Sequence, residues 1–254
     1  MNAFFRKFQF SVVVHLAAQA GVRYSIENPD AYIKSNLLGF QNILENCRQS
    51  KPRHLVFASS SSVYGNSRNE SFKETDPTDD PVSLYAATKK ANEVVGRSYA
   101  KLYGLPMTGL RFFTVYGPAG RPDMAYFQFT KAILAGETIR VFNHGDLMRD
   151  FTYIDDIVSG VLAVCEVPPT ELEIPYRILN LGNNKTVRLD YFIETLEHLF
   201  GIEAVKEYVD MQPGDVYKTC ANIDAAEILI GYQPKVGIED GLQNFVDWYV
   251  NRYQ

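Results

Sequence analysis

The sequence predicts an α/β protein, a doubly wound parallel sheet with helices on both faces. Three observations carry this. Short, mostly apolar runs at residues 11–18 and 54–58 are of the kind found in strands buried on both sides, and residues 107–113 read as the next strand. Helical patterns with apolar residues at three- and four-residue steps lie between and after them. Strand and helix alternate, as in a sheet whose parallel strands are joined by covering helices.

Each element has its own warrant. The run 11–18 is a strand that ends in the small residues Ala17 and Ala18, and small residues at a strand end let a flat ligand approach the backbone. His15, inside that run, reads as a core histidine. Residues 36–47 form a helix with Leu37, Phe40, Leu44 and Cys47 on one stripe. The strand 54–58 runs into Ser59-Ser60-Ser61-Ser62, and a polar loop follows through Pro81. A long helix opens near Tyr85, carries Ala87, Ala91, Val94, Val95, Ser98 and Leu102 in helical spacing, and stops at Gly104 before Pro106. The strand 107–113 leads into a Gly- and Pro-rich loop, 114–125. A helix over 126–135 closed by Gly136, a strand over 139–142 and a polar turn over 143–149 come next. Asp155 and Asp156 open a helix that reaches Val167, where acids suit the amino end, so Asp155 is read as a cap and not as a catalytic group. A strand over 176–181, which could return to the sheet, and amphipathic helices over 190–200 and 238–253 complete the chain.

Composition bounds the function. With 254 residues, 46% hydrophobic and 22% charged, the chain suits a globular protein with a substantial core in one or two lobes. A net charge of −5 without basic blocks argues against nucleic acid as a partner, so an anionic ligand needs a local set of arginines. Cys47, Cys165 and Cys220 are odd in number and far apart, which favours free thiols over disulfides or metal ligands and a reducing cytoplasm as compartment. The start, rich in Phe with Arg6 and Lys7, lacks the apolar core and cleavage site of a signal peptide. The apolar runs fall well short of the 18 or so residues of a membrane span.

The stretch that carries chemistry is Tyr85-Ala86-Ala87-Thr88-Lys89 with the serines before it. On a helix Tyr85 and Lys89 are one turn apart on one face. A neighbouring ammonium favours phenolate, and bringing a phenol from about 10 to about 7 takes roughly 4 kcal/mol of differential stabilisation. One lysine in water cannot supply that, whereas a lysine and a second cation in a dry site can. Tyr-x-x-x-Lys alone is a common helical pair. The serine run raises its meaning, because those hydroxyls fall at the carboxyl end of a strand, where open α/β sheets bind ligands.

A strand-end hydroxyl followed by Tyr-x-x-x-Lys at the start of a helix resembles the short-chain dehydrogenase/reductase superfamily, in its extended, nucleotide-sugar branch. The sequence Arg111-Phe112-Phe113-Thr114-Val115-Tyr116-Gly117-Pro118 with Gly120-Arg121-Pro122-Asp123-Met124 is similar to UDP-glucuronate 4-epimerases. So are the run from Arg149 to Asp156 and Gln212-Pro213-Gly214-Asp215-Val216. The resemblance implies a Rossmann-like NAD-binding domain over 1–115, with 151–184 partly returning to it. It implies a smaller domain for a nucleotide sugar over 116–150 and 185–254. Tyr85 would be the acid and base at the sugar O4, Lys89 the residue that lowers the tyrosine pKa and holds the nicotinamide ribose, and Ser60 the hydroxyl bonded to O4. NAD contacts would include Ala17, Ala18, Asn36, Tyr85 and Lys89. Thr114, with Ser61 and Ser62, would face the sugar and its carboxylate. Arg121 and Arg149 would grip uridine and diphosphate, and Asp215 a ribose hydroxyl. No metal is implied. The helices of Asn36 and Tyr85 would pair in a homodimer.

Two departures qualify that picture. No G-x-G-x-x-G or G-x-x-G-x-x-G run occurs, and two to three βα units, on the order of 80 residues, would precede Phe4 in the family. A truncated gene product or misplaced start explains this, in which case NAD binding by the chain as given would be weak. A remnant that binds UDP-sugar or a partner without NAD is the alternative. Ser61 and Ser62 are neutral where related dehydratases and decarboxylases place acids, which disfavours elimination and loss of CO2.

Overall fold

A computed structural model describes residues 2–211 and 216–253, with the Asn2 side chain not included. In chain order the helices are α1 (Asn2–Phe8), α2 (Tyr24–Glu27), α3 (Pro29–Tyr32), α4 (Gly39–Ser50), α5 (Leu84–Tyr103), α6 (Ala125–Ala135), α7 (Ile154–Glu166), α8 (Leu189–Phe200), α9 (Asp224–Ile230) and α10 (Ile238–Tyr253). The strands are β1 (Val12–His15), β2 (His54–Ala58), β3 (Met107–Phe112), β4 (Thr114–Tyr116), β5 (Ile139–Phe142), β6 (Met148–Arg149), β7 (Phe151–Tyr153), β8 (Tyr176–Leu181), β9 (Val187–Arg188) and β10 (Lys206–Val209). The chain divides into two compact units. The first holds residues 1–112, 159–181 and 222–232, and the second holds 113–158, 182–221 and 233–254.

The first unit contains a four-stranded parallel sheet in the order β1-β2-β3-β8. β2 and β3 are buried along almost their whole length, which is why β2 is apolar without alternation, while β3 buries Thr108 and Arg111 among its apolar residues. β1 lies at an edge and is shorter than the run 11–18 suggested: Val14 is 42% and Leu16 50% exposed. Gly109 in β3 has a packing reason, since a Cβ there would come within 2.6 Å of Ile178 and 2.7 Å of Phe57. Phe40, Leu44 and Cys47 of α4 pack with Leu55, Phe57 and Met107 beneath the sheet. The helix expected over 36–47 begins earlier, and residues Ile33–Leu38 form a π-helical stretch ahead of α4.

α5 departs from its reading in an informative way. Gly104 at φ 63° ends it as expected, and at its start Ser83 accepts a hydrogen bond from Ala86 N. The apolar stripe is not the buried one. Val94 is 57% and Leu102 68% exposed, while Lys89, Asn92 and Glu93 are buried with Ala86, Gly96 and Ala100.

The second unit is built from short pairs and helices. β4 pairs in parallel with β7, β5 with β10, and β6 runs antiparallel to β9. The stretch 114–116 therefore forms a strand inside what the sequence marked as loop. Its core is aromatic: Phe151 stacks on Phe192 at 4.4 Å between ring centres, and Tyr126 meets Phe245 edge-on at 4.9 Å. Cys47 and Cys165 are buried and Cys220 is half-buried, all as free thiols.

Candidate active site

β2 delivers its serines at the carboxyl end of the sheet. Ser59 N donates to Leu110 O at 2.7 Å, extending the ladder with β3 by one residue. Ser60 is extended (φ −159°, ψ 147°) and caps a 3-10 turn over Ser61–Tyr64, its Oγ accepting from Ser62 N at 3.2 Å. The turn closes on Gly65 at φ 56°, where a Cβ would stand 2.4 Å from the Asp80 carbonyl, so glycine is required. Ser59 and Ser60 are buried, and Ser61 and Ser62 half-buried.

α5 packs against this turn. Lys89 points to the end of β2: its Nζ donates to Ala58 O at 2.8 Å, two residues before Ser60. The ammonium is 3% exposed, and burial lowers its pKa to about 8. It therefore keeps its proton at neutral pH. Tyr85, one helical turn earlier, is half-buried, its ring edge-on to Tyr32 at 6.1 Å. Tyr32 itself is fully buried and donates to the carbonyls of Ala20 and Gly21. His15, stacked on Phe40, has its pKa lowered to about 4 by burial and then by the Lys89 charge. It is neutral under ordinary conditions and belongs to the frame.

Ala17 and Ala18 follow β1 with exposed residues of minimal bulk. Asn36 is 1% exposed and its amide is committed: Nδ2 donates to Gln19 O and Thr88 Oγ1, and Oδ1 accepts from Gln19 N. It ties the segment after β1 to α5, and it does so from the π-helical stretch.

Two further residues join this group. Glu93, one turn beyond Lys89, accepts from Ser59 Oγ at 2.6 Å and from both Nε and Nη2 of Arg111 at 2.8 Å. Arg111 also lies over the Tyr64 ring at 4.8 Å, and Tyr64 OH donates to Asn180 Oδ1 at 2.7 Å. The sequence held signals for both: an acid at helical spacing from Tyr85 and Lys89, and a lone charge inside the run 107–113.

The second unit carries the remaining candidates. Thr114 on β4 is half-buried, its N donating to Asp150 O at 3.1 Å. Arg121 forks onto Asp123 at 3.0 and 2.7 Å and is largely exposed. Arg149 donates to the carbonyls of Met148 and Tyr217. Beside it, the Asp150 carboxylate is fully buried and accepts from the backbone of Asn183, Asn184 and Ala221 and from Thr152. Burial pushes the Asp150 pKa up against these bonds. Asp156, in the first turn of α7, binds the backbone of Lys235 and Val236. Asp215 lies outside the described residues. Among the described residues no group of three His, Cys, Asp or Glu could hold a metal ion, and no helix is long and apolar enough to cross a membrane.

Residues 1–182 match the Epimerase domain described as the NAD dependent epimerase/dehydratase family. The chain belongs to that family. Relatives agree with the assignment to this NAD-dependent family. Protein CapI of Staphylococcus aureus is 52% identical over 97% of this chain and 78% of its own length. The probable UDP-glucuronate 4-epimerase of Rhizobium meliloti is 46% identical over 96% of this chain and 75% of its own. A UDP-glucuronic acid 4-epimerase from Bacillus cereus, solved with UDP-glucuronic acid and NAD, is 34% identical with a TM-score of 0.91, covering 99% of this chain and 78% of that one.

Proposed function

We propose that this family member converts UDP-glucuronate to UDP-galacturonate by transient oxidation at C4. The observation that carries the reading is the Lys89 ammonium on Ala58 O, which holds the Tyr85 helix against the strand end bearing Ser60. The name UDP-glucuronate 4-epimerase, borne by relatives from Rhizobium meliloti and Arabidopsis thaliana, supports it.

The residues present fit the nicotinamide end of NAD. Exposed alanines after β1 leave room for a flat ring against the backbone, and Lys89 has three N–H bonds of which one is used on Ala58. Ala17, Ala18, Asn36, Tyr85 and Lys89 would hold the cofactor, with Asn36 acting through the segment it pins. Bound NAD supplies a hydride acceptor, and then donor, at C4. Tyr85 takes the O4 proton and returns it after the sugar has presented its other face. Ser60 donates to or accepts from the same oxygen and fixes its place. Arg121, Arg149 and Asp215 hold the nucleotide while Thr114 faces the sugar, so that the sugar can turn while UDP stays bound. Ser61 and Ser62 face the uronate as neutral donors, with no acid to drive elimination or decarboxylation. Free thiols suit a reducing cytoplasm. The exposed apolar stripe of α5 and Leu38 suit a homodimer formed through these helices, Val95 of that stripe lining a groove with Leu37, Leu38 and Ala91.

The test is product analysis by NMR after incubating the chain with UDP-glucuronate and NAD+. UDP-galacturonate as the sole product is expected. A UDP-pentose, or unchanged substrate, overturns the reading.

A further inference from the structure

We propose that Glu93 and Ser59 are positioning residues that fix the Ser60 hydroxyl relative to Tyr85, an inference that rests on the activity proposed above. α5 grips the end of β2 at two successive residues. Lys89 takes the carbonyl of Ala58, and Glu93 takes the hydroxyl of Ser59. Ser60 is the next residue, and its conformation starts the 3-10 turn.

The same carboxylate reaches the far end of that turn. Its fork with Arg111 on β3 sets the guanidinium over the ring of Tyr64, the last residue of the turn. Tyr64 is tied in turn to Asn180 on β8, whose N donates to Glu74 Oε1 while Arg111 Nη1 donates to Glu74 O. Glu93 thus holds both ends of the segment that carries Ser60, Ser61 and Ser62. With side chains 4% and 6% exposed, the Arg111–Glu93 pair sits away from solvent, where a charged pair is costly to bury and serves geometry more readily than stability. Tyr85, Lys89 and Glu93 follow one another at four-residue steps on a single helix, so the helix that carries the acid–base group also carries the two clamps on its partner strand.

The decisive variant is Ser59→Ala, which cuts the clamp at its neutral end and leaves the Arg111–Glu93 pair intact. Amide hydrogen exchange and steady-state kinetics are measured on the full chain with NAD+. Expected are exchange about 10-fold faster at the amides of Ser62, Val63 and Gly65 with α5 unchanged, and kcat lower by roughly 10–100-fold with KM for UDP-glucuronate within about twofold. Unaltered exchange at those three amides overturns the inference, and so does faster exchange with unchanged kcat. A wild-type chain without turnover defeats only the activity reading, since the exchange arm still decides whether Ser59 holds the turn.

Discussion

Lys89 and Ala58 are 31 residues apart in the chain, yet the Lys89 ammonium sits 2.8 Å from the Ala58 carbonyl. That bond fixes the helix of Tyr85 to the strand that leads into Ser60. The buried cation also leaves a signature in stability. Its pKa falls from 10.5 to about 8 in the folded protein, with burial as the cause. Between those values the unfolded chain keeps a proton that the folded protein has released, so the unfolding free energy gained from this group rises with pH. Against a Lys89→Met variant, wild-type stability in urea should therefore improve by up to about 3 kcal/mol as pH goes from 8 to 10.5. A difference that stays flat with pH would place the ammonium in contact with water.

Arg111 and Glu93 form a second buried relationship, and they should behave as a unit. Arg111→Met alone leaves Glu93 uncompensated and should cost about 3–5 kcal/mol, whereas Arg111→Met with Glu93→Met should recover a large part of it. Thermal unfolding of the two single variants and the double variant measures the coupling.

The exposed apolar face of α5 is expected to mediate self-association. Val95→Arg or Leu38→Glu should shift the mass measured by light scattering from two chains to one at micromolar concentration, with thermal stability of the sheet core kept. Val95 is 36% and Leu38 58% exposed, so neither substitution opens a cavity.

Ser60→Ala should lower kcat by roughly 100–1,000-fold, the scale of one positioned hydrogen-bond donor, and leave UDP affinity unchanged. Isothermal titration with UDP and NMR turnover with UDP-glucuronate separate the two effects.

Part of the sheet was legible because a strand buried on both faces reads as a continuous apolar run; residues 54–58 are the plain case, while 107–112 were placed by their position between the α5 helix and the loop after them. Gly104 marked the end of α5 through its own backbone chemistry. The short pairs of the second unit were not legible. Three residues at 114–116 have no period of their own, and they become a strand only beside Phe151–Tyr153. For α5 the spacing identified a stripe but not its direction, because a helix whose concealed side works through hydrogen bonds buries Lys89, Asn92 and Glu93 instead. In the candidate site, Tyr85, Lys89 and Ser60 stood out by residue type and order. Glu93 and Arg111 did not, since their significance is their distance from Ser59 and Tyr64, and that arises only when β2, β3 and α5 meet. Asn36 is similar: its reach to Thr88 comes from the π-helical stretch, which no local pattern announced.

The central claim is that the Tyr85 oxygen moves the proton of the sugar O4. Tyr85→Phe removes one oxygen from a half-buried ring and leaves Lys89 on Ala58. NMR turnover of UDP-glucuronate and calorimetric binding of UDP, measured on the same preparation, test the claim directly. Turnover reduced at least about 1,000-fold with UDP affinity within about twofold is the expected result. Epimerisation at a rate near wild type would contradict it.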